Sequence, residues 1–255
     1  MRMAAIPDLP DAQSGLVGFP VNPPPLPGPV TFEQRWDDLT FLHWPVRPET
    51  VERFYPPGTR PDVFADGMTY VGLIPFVLTS TKVGTAFPVP YFGGFAETNV
   101  RLYSIDDAGR HGVLFRSLET SRLAVVPVIR MALGVPYVWS RMRVTRRGEH
   151  IAYDSVRRWP RRGLRSRLTV VVGDPVEPTP VEIWLTARWG AHTRKAGRTW
   201  WVPNEHEPWP FRTAEIVELS DDLLGASAVR PAGERLRPLF SPGVRTRFGR
   251  PFVVG

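Results

Sequence analysis

The sequence predicts an α+β fold, mainly antiparallel β, and three observations carry that reading. Apolar-rich runs follow one another in strand–turn–strand pairs, with Asp-Asp-Ala-Gly, Arg-Gly or Ala-Gly between them. Twenty-nine prolines and 22 glycines in 255 residues favour many turns over long helices. The helical patterns are few and short. Strands that pair with their neighbours in sequence suggest a sheet curling toward a closed barrel, with a few helices outside it.

Residues 1–30 hold eight prolines, including PPPLPGPV, and are expected to form an extended, largely unpacked arm. A single domain is expected over 31–224, without internal repeat or linker. Within it RPETVERFY, with proline and acids in a first turn, predicts a short helix. GMTYVGLIPFVL reads as a buried strand bent at Pro75, and KVGTAFPVPYFGG as loop. GGFAETNVRLYS, residues 93–104, is a strand that DDAGRHG turns into a second strand, GVLFRSL. ETSRLAVVPVIRMALG predicts a helix begun by Thr120 or Ser121, kinked at Pro127 and closed by Gly134. RMRVTRRGEHIAYDSV is a hairpin around Arg147–Gly148, followed by the strand LTVVVG. PTPVEIWLTARWG starts a short helix at its proline, AHTRKAGRTWWVP is a further hairpin, and TAEIVEL is a strand or short helix. Residues 225–255, basic and turn-rich without clear periodicity, are expected to be a mobile tail.

Composition excludes several function classes. With no cysteine there is no disulfide framework and no thiolate chemistry. MRMAAIPDLPDAQSG lacks the apolar run of a signal peptide. The longest apolar stretch, LAVVPVIRMALGVPYVWS, is interrupted by Pro127, Arg130 and Pro136, short of the ~20 clean residues of a membrane helix. The expected location is the cytoplasm, with no membrane partner. The five histidines are scattered, so no metal and no cofactor is expected, and phosphate-loop, dinucleotide and nucleophile-elbow motifs are missing. His206, between Glu205 and Glu207, reads either as a carboxylate–imidazole pair or as part of a surface turn.

Net charge is +7, carried by thirty arginines against only Lys82 and Lys195. Ten arginines fall between Arg141 and Arg167. They suit an anionic polymer. No recognition helix or RNA-reading aromatic motif accompanies them, so a solvated hairpin face is preferred and no nucleic-acid partner is expected.

The most informative pattern lies in FAETNVRLY. At a period of two, Phe95, Glu97, Asn99, Arg101 and Tyr103 share one face, and Ala96, Thr98, Val100 and Leu102 the other. A row of Glu, Asn and Arg between aromatics is a solvent face, an interstrand salt bridge, or the wall of a polar pocket.

The strings QRWDDLTFLHWPV, FAETNVRLY, GRHGVLFRSLE, GVPYVWSRM, WLTARW and HEPWPFRTAE occur in this order. Together they resemble the YqjF-like family, domain-of-unknown-function family 2071, over about residues 30–220. That resemblance implies the acetoacetate-decarboxylase-like superfamily: a closed, cone-like antiparallel barrel with an internal pocket. It places Glu97 where the decarboxylases keep a strand-borne pocket glutamate. It implies that Glu97, Asn99 and Arg101 point inward and that Val100 and Leu102 pack outward beneath helices. The decarboxylases' Gly-Phe-Pro-Lys-Lys segment corresponds to Gly134–Val138, so both lysine positions become Tyr137 and Val138, and Arg130 stands for an upstream arginine. Tyrosine cannot form an iminium with a ketone. Lys82 reads as a solvated residue at a loop or strand end.

The expectation is a pocket for a small carbonyl or carboxylate compound, without a Schiff-base lysine. Glu97 and Tyr137 are the candidate catalytic residues; Asn99, Arg101 and Arg130 are the candidate ligand-binding residues. The alternatives are a non-catalytic ligand-binding or interaction module and, third, anionic-polymer binding through Arg141–Arg167. Oligomeric state is left open.

Overall fold

A computed structural model describes residues 16–83 and 94–254. The loop expected over KVGTAFPVPYFGG, apart from its ends, and the first half of the arm lie outside the described residues. In chain order the elements are β1 (Phe32–Val46), β2 (Thr59–Pro61), β3 (Thr69–Val83), β4 (Phe95–Asp106), β5 (His111–Thr120) and α1 (Val125–Leu133). Next come β6 (Tyr137–Arg147), β7 (His150–Trp159), β8 (Arg165–Pro175), α2 (Pro180–Thr186), β9 (Gly190–Lys195) and β10 (Arg198–His206). The last are β11 (Arg212–Asp221), α3 (Leu223–Ala226), β12 (Leu239–Phe248) and β13 (Phe252–Val254).

The predicted hairpins form where turn chemistry places them. Between β4 and β5, Asp106 Oδ1 accepts from the backbone N–H groups of Ala108 and Arg110 at 3.0 Å each, and Gly109 takes the left-handed conformation at φ 76°. All strand pairings are antiparallel except those of β5 with β6 and β9. Pairing runs β5-β6-β7-β8-β11-β12-β1-β3-β4 and returns to β5. A second route joins β5 to β12 through β9 and β10. The class is the expected α+β, mainly antiparallel. The sheet is not a regular barrel, because β5 and β12 each hold three neighbours.

β4 is central and buried on both faces. Val100 and Leu102 are fully buried, with Leu73, Ile151, Leu168 and Phe240 in the same hydrophobic cluster. Those partners come from β3, β7, β8 and β12, so this face packs against the sheet folded over on itself and not beneath helices as expected. Side chains of this size contribute ~1.5–3 kcal/mol each when fully buried.

Three local expectations are corrected. The stretch RPETVERFY makes two single 3₁₀ turns, Pro48–Thr50 and Glu52–Phe54, instead of one helix. Thr120 belongs to β5, paired with Glu97 and Trp139, so α1 starts only at Val125. Its end is as predicted: Gly134 sits at φ 70° and donates to Arg130 O at 3.0 Å. Part of the N-terminal arm is packed, with Leu16 and Phe19 against a buried cluster and Pro20 O accepting from Trp189 Nε1 at 2.6 Å.

The largest correction concerns 225–255. This segment contains β12, hydrogen-bonded to β1, β10 and β11, and Arg237, which holds Glu182 of α2 through two bonds of 2.6 Å. It is structural sheet, not a tail.

The arginine-rich stretch is also divided. Arg157 is buried and donates to both oxygens of the fully buried Glu119, while Arg146 pairs with Asp38 at 2.6 Å and Arg167 with Asp154 at 2.6 Å. Three of its charges are thus spent on internal contacts.

Candidate functional site

The polar face of β4 looks into a cavity. β4 lies between β3 and β5, with Glu97 opposite Phe76 and Thr120, Asn99 opposite Ile74 and Leu118, and Arg101 opposite Gly72 and Phe115. Alternation then brings the three polar heads out on one side, about 6.6–6.8 Å apart along the strand. The cavity they line measures about 120 Å³ in terms of the positions open to the centre of a water molecule. About 10–15 Å³ on this scale holds one water, so the space is that of several water molecules.

Its apolar wall comes from β1 and the segment after β10. Trp36 and Trp209 stack at 6.3 Å, and Phe41 meets Trp209 edge-on at 5.1 Å. Trp209 is fixed by donating Nε1–H to Thr186 O at 3.1 Å. Ile129 and Leu133 of α1 close another side.

Glu97 is the most perturbed acid of the cavity. It is 3% exposed, and burial raises its carboxyl from 4.5 to about 8, against the opposing effect of a hydrogen bond from Tyr137. It is therefore mostly a neutral acid at pH 7. Tyr137 reaches it because β6 starts parallel to the end of β5, with Tyr137 opposite Leu118, while Thr120 of β5 lies opposite Glu97. Burial first, then the neighbouring Glu97, hold the Tyr137 hydroxyl well above its ordinary range, so it remains a donor.

Arg101 does not pair with Glu97. Its Nε donates to Tyr103 Oη at 3.1 Å and its Nη2 to Leu185 O at 3.3 Å. Tyr103 Oη in turn shares a hydrogen bond of 2.6 Å with His43 Nε2. Burial, with the charges of Arg101 and Arg188 adding to it, pushes His43 well below its usual range and keeps the ring neutral. The guanidinium of Arg101 is thus oriented from behind, and no ion pair joins it to a carboxylate among the described residues.

Arg188, Asn204 and His206 add to the polar lining, with Gln34 and Thr186; sequence reasoning missed Arg188 and Asn204 and read His206 only as a carboxylate pair or surface turn. Arg188 follows α2, is 4% exposed, donates Nε–H to Trp184 O at 2.7 Å, and pairs through Nη1 with buried Asp62. His206 is buried at the end of β10, not part of a surface turn; its Nδ1 donates to the backbone carbonyl of Glu207 at 2.7 Å, so the alternative carboxylate pair does not form either. Burial lowers its ring to about 4, leaving Nε2 an unprotonated acceptor.

Four buried polar atoms around this cavity have no hydrogen-bond partner: Glu97 Oε1, Asn99 Oδ1, Arg188 Nη2 and Asn204 Oδ1. Each such group costs ~1–3 kcal/mol unless something satisfies it. They mix donors and acceptors.

Arg130 falls elsewhere. α1 turns Ile129 and Leu133 to the cavity, and the next position, about 100° around the helix, is exposed. Arg130 donates Nη1–H to Tyr137 O at 3.0 Å and lies 5.5 Å from the Trp159 ring. Its contact is with the backbone of Tyr137, outside the cavity. Lys82 is exposed at the end of β3, and Lys195 donates to Ala132 O at 2.8 Å; neither lines the cavity. Among the described residues no group of three His, Asp or Glu side chains is placed to hold a metal ion, and no helix is long and apolar enough to cross a membrane.

Comparison with known proteins places this geometry in context. The family described as uncharacterized conserved protein, domain-of-unknown-function family 2071, matches residues 33–245. The uncharacterized protein YqjF of Bacillus subtilis is 26% identical over 184 residues, covering 71% of this chain and 75% of that protein. Among solved structures, the enduracididine biosynthesis enzyme MppR complexed with pyruvate aligns with a TM-score of 0.62 at 14% identity, covering 89% of this chain and 91% of the other. Acetoacetate decarboxylase from Legionella pneumophila gives 0.61 at 12% identity, covering 99% and 98%. An acetoacetate decarboxylase-like enzyme from Sphingomonas wittichii gives 0.62 at 13% identity, covering 89% and 94%. At such identities the likeness shows the fold alone, and that fold is acetoacetate-decarboxylase-like. The chain belongs to domain-of-unknown-function family 2071.

Proposed function

We propose that this member of family 2071 binds a small carboxylate compound bearing a carbonyl group in the cavity behind β4, with Glu97 and Tyr137 as its acid–base pair. The observation that carries the reading is the convergence of four unpartnered buried polar atoms on one apolar-walled space. A negative end and a carbonyl give acceptors to Arg188 Nη2 and to a protonated Glu97, while the amide oxygens of Asn99 and Asn204 take hydrogen bonds from a ligand hydroxyl or from water bound with it.

Arg101 and Arg188 supply the guanidinium groups that recognise a carboxylate. Asn99 and Asn204 orient the ligand. Glu97, neutral below about pH 8, offers an O–H to a carbonyl oxygen and holds a transferable proton there. Tyr137 steadies the carboxylate that remains once that proton leaves. The reading runs without a lysine Schiff base, since Tyr137 and Val138 occupy Gly134–Val138 where the decarboxylases have lysines and neither lysine of this chain lines the cavity. Support of a weaker kind comes from a structural neighbour that holds pyruvate, a carboxylate beside a carbonyl.

The test is a thermal-shift titration with pyruvate and acetoacetate on the native protein, Arg101→Met and Glu97→Gln. A ligand at a hundred times its Kd stabilises by about 2.7 kcal/mol. Saturable stabilisation of the native chain that Arg101→Met abolishes is expected. Stabilisation equal in Arg101→Met and native protein, or none with either compound, refutes the proposal. Incubation with acetoacetate and borohydride is expected to label neither lysine.

A further inference from the structure

A second cavity, of about 200 Å³ on the same scale, lies against the opposite face of β5. Val113 of that strand lines the first cavity, Leu114 and Arg116 the second, and Phe115 touches both. The 3₁₀ turn at Glu52–Phe54 brings Arg53 and Phe54 to its rim, β9 brings Thr193 and Arg194, and the turn after α1 brings Pro136.

The charge here is one-sided. No Asp or Glu lines the cavity, and none of its three arginines has an ion-pair partner among the described residues. Arg53 and Arg116 nonetheless hold their guanidinium groups 4.7 and 3.6 Å from the centroid of the same ring, Phe54. Burial first, and then the Arg53 charge, push Arg116 below its ordinary value. Two polar atoms are buried without a partner: Arg116 Nε and the hydroxyl of Thr193, a residue only 3% exposed. Arg116 Nη2 donates to Ser227 O at 3.2 Å, and the Tyr55 and His192 side chains are engaged as well. Tyr55 donates to Tyr103 O at 2.8 Å, and His192 binds Ser104 at 2.8 Å and Asp106 at 3.1 Å.

We infer that this second cavity is a binding site for a phosphate-bearing anion. Like charges converging on a half-enclosed space are costly unless an anion offsets them, and guanidinium forks match phosphate oxygens two at a time. Three cations suit a group of charge near −2 better than a single carboxylate. Thr193 adds a neutral donor, and the volume beyond the arginines admits an organic portion against Phe54 and Pro136. The site is separate from the β4 cavity and does not depend on what that cavity binds.

Isothermal titration of inorganic phosphate into the full chain, at constant ionic strength set by chloride, tests this. Arg53 and Arg194 are exposed, so Arg53→Met and Arg194→Met are expected to fold even if Arg116→Met does not. One saturable site is expected, weakened about tenfold or more in either variant, as loss of a charged hydrogen bond implies. Arg161→Met/Arg162→Met, two exposed arginines far along the chain, is expected to bind as the native protein does, and malonate more weakly than phosphate. No saturable binding, an equal loss in the Arg161/Arg162 control, or malonate binding as tightly as phosphate overturns the assignment.

Discussion

Replacing Glu97 by glutamine is expected to flatten the pH dependence of stability between pH 5 and 8. Burial raises the folded-state value of this carboxyl from 4.5 to about 8. Between those values the folded chain binds more protons than the unfolded one, so stability falls as pH rises. The contribution is fully present below pH 4.5 and lost once pH has passed about 8. At about 1.36 kcal/mol per pH unit, the interval amounts to about 5 kcal/mol, of which about 3 is already lost at pH 7. Glutamine keeps the shape and removes the titration. Groups such as His206 and Asp62 titrate alike in both proteins and cancel in the difference. Urea midpoints measured at whole pH values from 5 to 8 should therefore diverge steadily, with Glu97→Gln the more stable at high pH. Parallel curves would show that Glu97 ionises as an ordinary carboxylate and holds no proton for the proposed chemistry.

Three further outcomes follow from the packing. Leu102→Ala empties a fully buried position between sheet layers and should cost about 2–5 kcal/mol by denaturant titration. Arg157→Met leaves Glu119 buried without its cation and should cost about 3–5 kcal/mol at pH 7, the loss shrinking in Glu119→Gln/Arg157→Met. Deletion of 225–255 removes β12 from three strand neighbours, so the shortened chain should show no cooperative unfolding; a sharp transition near that of the full chain would contradict the role given to this segment.

What the sequence made legible is what period and turn chemistry encode locally. The two faces of β4 were readable because Glu97, Asn99 and Arg101 alternate with Thr98, Val100 and Leu102, and Asp106 with Gly109 marks the turn that follows. β12 was not readable. Pro242 and Gly243 look like a loop, yet they sit within the strand, with Ser241 opposite Leu39 and Gly243 opposite Asp37, where Gly243 takes φ 132° and a Cβ would come within 2.2 Å of Trp36 O. A backbone approach that close needs glycine and leaves no apolar pattern. Beyond it, Val244, Thr246 and Phe248 alternate with Arg245 and Arg247, but a threonine in the buried series hides the period. Arg188 and Asn204 were missed, and His206 was placed wrongly, for another reason. Their meeting with Glu97 depends on β5 holding three neighbours, which no local spacing announces. Arg130 was carried by resemblance, and a single helical step of about 100° takes it outside.

The most direct measurement is a crystal structure of the protein grown with pyruvate. The account predicts electron density for a carboxylate within hydrogen-bonding distance of Arg101 and Arg188 and for a carbonyl oxygen beside Glu97. A cavity filled by rearranged side chains, or pyruvate bound elsewhere with Glu97 and Arg188 Nη2 still unpartnered, would contradict it.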